Sequence, residues 1–220
     1  MKASILLSGG MDSATLLACA IRDFGKVNVE AVNIDYGQRH VKEMDFARKL
    51  CWHLDVPCKT YSIKDSIGKG GLSDEELVIP DISYDEIEGV SPTYVPFRNG
   101  LLLSTITSLV SASGEGVVGY GAHAEDAENW AYPDCTPEFI GAMASAIYIG
   151  TYHKYRLYTP LMWLSKNEVV SLGTSLGVPF ELTWSCYKGE ELHCGTCPTC
   201  LARKQAFKEA GVVDPTGYAA

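Results

Sequence analysis

Apolar and polar positions along this chain follow two periods in turn. "ASILLS", residues 3–8, is a short apolar run that stops at a serine and two glycines, the pattern of a buried strand running into a turn. Ala14, Leu16, Leu17, Ala20 and Ile21 then fall on one face and predict a helix over 13–24. "VNVEAVNID", 27–35, alternates with β-branched residues and predicts a second strand. Over 40–54, Val41, Met44, Ala47, Leu50 and Leu54 share a helical face. "CKTYSI", 58–63, predicts a third strand.

From 64 to 96 the period is lost among Gly, Pro, Asp and Glu. This reads as a long loop insertion, and loops of that length usually carry function. A strongly apolar stretch over 99–113 predicts a buried helix, and "GVVGYGA", 116–122, a fourth strand. A helix is predicted over about 137–150, and a fifth strand at "YRLYTPL". Ser165 and Glu168 form a capping box that opens a short helix over 165–177.

Strands alternating with helices predict an α/β fold: a doubly wound, mostly parallel five-stranded sheet. The expected layout is a nucleotide-binding domain over 1–180 and a C-terminal segment, 181–220, packed on it. In such sheets ligands bind beyond the carboxyl ends of the strands.

With 220 residues, 46% hydrophobic and 20% charged, the chain is an ordinary globular protein. Its net charge of −9 argues against a nucleic-acid-coating surface. No stretch reaches the length of a membrane span. "MKASILL" is too short an apolar run for a signal peptide, so a cytoplasmic protein is expected. Cys19, Cys51, Cys58 and Cys135 are scattered, whereas Cys186, Cys194, Cys197 and Cys200 crowd into 15 residues. In a cytosolic chain such a cluster points to metal rather than disulfides.

The candidate chemistry begins where the first strand ends. Ser8, Gly9, Gly10, Asp12 and Ser13 form S-G-G-x-D-S at a strand-to-helix turn. Glycines let backbone N–H groups approach an anion, and the helix start adds partial positive charge. Neither a Walker A lysine nor G-x-G-x-x-G stands at this turn. The hydroxyls of Ser8 and Ser13 can donate to a phosphate, and Asp12 can cap the helix or reach a metal.

This stretch resembles the PP-loop of the ATP pyrophosphatase superfamily, whose Rossmann-like fold matches the pattern above. "DYGQRH", "YVPFRN", "AYPDCTPEF", "TPLMWLSKNEV" and "SCYKGEELHCGTCPTCLAR" follow in order. Together they resemble the 7-cyano-7-deazaguanine synthase family of queuosine and archaeosine precursor biosynthesis, over nearly the whole chain. The resemblance implies an ATP-dependent C–N ligase acting on 7-carboxy-7-deazaguanine and ammonia through an adenylated acid and an amide. It implies ATP held by Leu7, Ser8, Gly9, Gly10, Asp12, Ser13, Asp35, Arg98 and Asn99, with Ser8, Asp12, Ser13 and Arg98 acting in catalysis. Mg²⁺ would bridge phosphate oxygens. Tyr132, Asp134 and Trp130 are expected to meet the deazaguanine. One structural Zn²⁺ per chain is expected at Cys186, Cys194, Cys197 and Cys200, and a homodimer, with no nucleic-acid partner. The chain departs from the family pattern at Phe97, usually a small residue, at Trp130-Ala131, usually Ser-Gly, and at Thr136, usually Arg.

Several readings stay open. Four thiolates at this spacing suit zinc, while an iron–sulfur cluster also takes four cysteines, and buried free thiols are the third reading. His193 reads as a surface histidine. Arg39 and His40 face either the phosphates or solvent. Trp130 either stacks on a base or packs on the chain. No base pairs with Cys135 in the sequence, so no nucleophilic role is assigned to it. The rival functions are another PP-loop adenylating enzyme, amide-forming or tRNA-thiolating, and a catalytically idle zinc-stapled partner protein. The acidic charge weighs against the tRNA modifier, and the intact loop against the idle protein.

Overall fold

The strands β1 (Lys2–Leu6), β2 (Val29–Asp35), β3 (Cys58–Ser62), β4 (Gly116–Gly119) and β5 (Tyr155–Tyr158) form one sheet in the order β3-β2-β1-β4-β5. All four pairings are parallel, with Ile5 opposite Ala31 on one side and Gly119 on the other. The computed structural model describes residues 1–219 except 39–40, 69, 75, 77, 88, 113, 128–129 and 189–190. The helices are α1 (Met11–Phe24), α2 (Val41–Leu54), α3 (Arg98–Ser111), α4 (Ala124–Ala127), α5 (Pro137–Gly150), α6 (Lys166–Ser175) and α7 (Pro198–Glu209).

The period of two in the strands separates the two faces. Ala3, Ile5, Leu7, Val29, Ala31 and Val117 point into one core with α1, α2, α6 and α7. Val32, Ile34, Val118 and Leu157 point into the other, with α3 and α5. The order of strands therefore reverses between β1 and β4, and the crevice at that switch point opens beside the end of β1.

The expected elements are present with small differences at their ends. The ladder outlasts β1 and β4 by one bond each, since Leu7 N–H donates to Val32 O and Tyr120 N–H to Tyr158 O, both at 3.0 Å. Glu168 accepts the Ser165 N–H at 2.8 Å and closes the α6 capping box. Thr136 caps α5 by accepting the Phe139 N–H at 3.2 Å, with Pro137 in the first helical position. The described residues of 64–96 hold short 3₁₀ turns and neither strand nor α-helix.

Two helices escaped the sequence reading, the single turn of α4 and the longer α7. α7 occupies the cysteine-carrying tail, and its Ala206 and Phe207 join the first core. A third apolar cluster joins Leu72, Ile79 and Val95 of the long insertion to Trp184, Cys186, Cys197 and Cys200. The cysteines are thus walled by the insertion on one side and by the sheet domain on the other.

Candidate active site

β1 delivers the chain to Ser8, and Gly9 turns it at φ +96°, a region open to glycine. A side chain at Gly9 has no room: its Cβ would overlap the carbonyl oxygen of Glu43 and sit 2.9 Å from Ala47 N. The first turns of α2 therefore lie directly against the loop. Ser8 Oγ and Ser13 Oγ are 3.0 Å apart, and Ser8 Oγ accepts the Gly10 N–H at 3.2 Å. The two hydroxyls are held together at the start of α1.

A cavity of about 250 Å³ opens in front of this loop. Leu7, Ser8, Gly10, Asp12 and Ser13 form its floor, and Arg98, Asn99, Tyr132 and Cys135 stand on other parts of its wall. The structure thus brings together most of the residues singled out above.

Asp35 lies off the cavity wall; it pairs with Lys64 at 3.0 Å and accepts the Gly37 N–H at 3.1 Å. Asp134 is also off the wall and only 3% exposed; its Oδ2 accepts the Asn99 N–H at 3.0 Å. Trp130 sits outside the wall, 61% exposed with φ +59°. Arg39 and His40 lie outside the described residues. His193 corrects the surface reading: it is 4% exposed, its ring centre lies 4.2 Å from that of Trp184 at a tilt of 41°, and it accepts the Ser185 N–H at 3.0 Å. Its ring fills space between Trp184 and Tyr218, which solvent would otherwise enter.

Arg98 and Asn99 are the first residues of α3, and Phe97 reaches them through a left-handed turn at φ +55°. The Phe97 ring folds over Gly100, whose absent Cβ would lie 2.5 Å from it. This explains how a large residue occupies a position that is usually small. Arg98 donates to the Tyr36 hydroxyl at 3.3 Å. Burial opposes its charge, but Tyr36 and Tyr120 nearby hold the guanidinium protonated.

Sequence reasoning missed a cation that stands beside the loop. Lys166, the first residue of α6, places Nζ 3.3 Å from Asp12 Oδ2 and 3.1 Å from His123 Nε2. His123 is buried in the loop between β4 and α4 and lies 3.3 Å from Asp126. Burial works against charge on both Asp12 and Lys166; each nevertheless favours the other's charged form, lowering the Asp12 pKa and raising that of Lys166. The only sequence signal was the motif "TPLMWLSK", 154 residues away from Asp12.

One further acid and a thiol complete the picture. Glu43 of α2 lines the cavity, and burial lifts its pKa to about 7, with Arg98 acting in opposition. Cys135 bonds to Tyr120 OH at 3.2 Å and to Asn99 Nδ2 at 3.4 Å. Burial pushes its thiol well up, which disfavours a thiolate nucleophile.

The four clustered cysteines have sulfurs within 4.8 Å of one another. Cys186 Sγ accepts the N–H groups of Lys188 and Cys194 at 3.4 Å each, and Cys194 Sγ accepts that of Cys197 at 3.3 Å. Backbone donors aimed at closely spaced sulfurs are what metal-bound thiolates require. The cluster is tied to the loop through Trp184, whose N–H donates to Gly9 O at 2.9 Å and whose Nε1 donates to Cys186 O at 2.9 Å.

A parallel sheet with S-G-G-x-D-S at its switch point defines a PP-loop protein. The same fold occurs in the U34-tRNA thiolase NcsA of Methanococcus maripaludis with its [4Fe-4S] cluster, at TM-score 0.53 and 15% identity over 96% of this chain and 67% of that one. NMN synthetase of Francisella tularensis is similar too, at TM-score 0.51 and 17% identity over 96% and 78%. The chain belongs to the queuosine biosynthesis protein QueC family, whose model matches residues 2–211. It is 44% identical to a 7-cyano-7-deazaguanine synthase of Thermoplasma volcanium over 99% of this chain and 90% of that protein. Against the Methanoregula boonei synthase it is 41% identical, over 99% of each chain. Among the described residues no helix is long and apolar enough to cross a membrane.

Proposed function

We propose that this protein is an ATP-dependent ligase that makes 7-cyano-7-deazaguanine from 7-carboxy-7-deazaguanine and ammonia. The observation that carries this reading is the cavity built jointly by the Ser8–Ser13 loop, Lys166 and Arg98, in a member of a family whose relatives bear that synthase name. A carboxylate oxygen is a poor leaving group, and transfer of AMP onto it makes a good one. The loop N–H groups and the hydroxyls of Ser8 and Ser13 hold the pyrophosphate, and Lys166 neutralises charge as it departs. Arg98 grips the substrate carboxylate or the α-phosphate bidentately. Ammonia displaces AMP to give the amide; a second adenylation, on the amide oxygen, lets elimination give the nitrile.

Asp12 Oδ1 is buried without a partner among the described residues, and with Asp126 it fits Mg²⁺. Bound there, Mg²⁺ would neutralise phosphate charge. The cysteine cluster suits one Zn²⁺: four sulfur ligands leave no open position, so its contribution is to folding. Tyr132 faces the cavity while its hydroxyl meets Thr93 Oγ1 at 2.6 Å and Ser91 at 3.1 Å, a polar corner suited to the deazaguanine. The deciding experiment is mass spectrometry of the products formed from the acid, ATP and ammonium. Nitrile, AMP and pyrophosphate are expected. A product that stops at the amide, or ADP with phosphate, would refute the two-stage adenylation.

A further inference from the structure

Three carboxylates line the cavity, and they are not equivalent. Asp12 is matched by Lys166 at 3.3 Å, and Asp126 by His123 at 3.3 Å. Glu43 has no ion-pair partner within 4 Å among the described residues. It stands on the wall with Tyr36, Arg98, Tyr84 and Tyr187. Its backbone carbonyl presses on Gly9, so its position relative to the PP-loop is fixed by contact of main chain on main chain. Asp12 is engaged as the counter-ion of Lys166 and Asp126 lies against the His123 ring, which leaves Glu43 as the cavity acid free to accept and release a proton.

The adenylation chemistry proposed above needs such a group. Forming a nitrile from an amide strips two protons from one nitrogen, and neither ATP nor the phosphate loop takes them. Resting on that reading, we propose that Glu43 is the base that removes nitrogen-bound protons in the conversion of amide to nitrile. In the final step the Glu43 carboxylate takes the N–H proton of the adenylated amide. The first nitrogen proton is lost as the amide oxygen is adenylated; in this last step the N–H electron pair becomes the third carbon–nitrogen bond, the C–O bond breaks, and AMP leaves with the C–O pair. Glu43 then releases its proton to solvent.

The groups facing Glu43 are consistent with a proton acceptor near neutrality. Arg98 approaches from α3, Tyr36 from the loop after β2, and Tyr187 from the C-terminal segment. Burial pushes both tyrosines up, so they stay neutral, and Arg98 is the positive charge nearby. Lys42, on the same helix, turns its ammonium toward the Trp184 ring at 4.6 Å. Burial raises Glu43 and Arg98 restrains it, which puts its midpoint at about 7, where a general base is most effective.

The test uses the full-length protein and separates the two stages. Glu43→Gln is expected to keep acid-dependent exchange of pyrophosphate into ATP within about threefold, because exchange needs no base at nitrogen. It is expected to lose about 10²–10⁴-fold in nitrile formed from the synthetic amide and ATP. In the wild type that step should rise with pH through about 7, and the limb should vanish from the residual activity of Glu43→Gln. Glu43→Asp should restore the limb and part of the rate, which a purely structural role does not predict. Wild-type nitrile formation by Glu43→Gln, or an equal loss in both assays, overturns the proposal. A wild-type protein that shows no exchange overturns the adenylation reading and this proposal with it; that control tells the two failures apart.

Discussion

Asp134 caps a helix to which it is not connected by any nearby chain. Its Oδ2 accepts the backbone N–H of Asn99 at 3.0 Å, across 35 residues. The residue that precedes α3, Phe97, is left-handed and provides no side-chain cap. An acid from the "YPDC" turn therefore satisfies a donor that the helix start would leave unpaired.

Asp134→Ala is accordingly expected to cost about 1–2 kcal/mol, the range for a lost cap or a buried donor left unpaired. Arg98, next to Asn99, should lose its aim into the cavity, so turnover should fall with stability. Urea unfolding and steady-state kinetics check this. Unchanged stability with a raised KM for the deazaguanine alone would instead make Asp134 a substrate contact.

Gly9→Ala is expected to damage both fold and activity. The position needs φ +96°, and its Cβ would overlap Glu43 O. Strain of this kind costs on the order of 1–3 kcal/mol, and the only relief moves α2 away from the loop. Gly141, in α5 with open space around its Cβ position, is the control. Gly141→Ala should be neutral or stabilising by up to about 1 kcal/mol. Equal melting temperatures for Gly9→Ala and wild type would contradict the packing described here.

Much of this architecture was legible in the sequence because the sheet is buried on both faces. β1 and β2 show up as apolar runs, and their helices as single-faced stripes. α7 was not legible, because it buries polar side chains. Arg203 is wholly buried, bonding Thr183 Oγ1 at 2.7 Å and pairing with Asp214 at 3.1 Å. A helix that hides an arginine shows no amphipathic stripe. The loop Ser8–Ser13 could be read locally, since strand, turn and helix start are contiguous. Lys166 and His123 could not, for they reach Asp12 only after the sheet has wound back to its switch point.

Lys166→Met is expected to lower turnover by about two to three orders of magnitude, the scale seen when a stabiliser of transition-state charge is lost. Asp12 would lose its counter-ion, and burial would then raise its pKa. Lys166→Arg should recover part of the rate, since charge is kept and reach is altered. Asp12→Ala and Ser13→Ala should fall in a similar range. Chromatography of spent nucleotide should show AMP and pyrophosphate for whatever turnover remains. Near-wild-type rates in Lys166→Met would remove Lys166 from the phosphate site.

The cysteine cluster connects folding to the site most directly. From Cys186, the path runs through Cys186 O to the indole of Trp184, and from the Trp184 N–H to Gly9 O in the PP-loop. The third apolar cluster is small, and four of its buried members are Trp184, Cys186, Cys197 and Cys200. So small a core stabilises little by itself, and a structural metal can contribute about 10 kcal/mol or more in small zinc domains. One zinc per chain is therefore expected by elemental analysis. Cys197→Ser should lose the metal, lower the melting temperature and loosen Trp184, so that activity falls without any ligand to ATP having been changed. Chelation at elevated temperature should reproduce the effect in the wild type, and added Zn²⁺ should reverse it. Active protein that carries iron with a visible absorption band, or active protein with no metal at all, would overturn the zinc assignment.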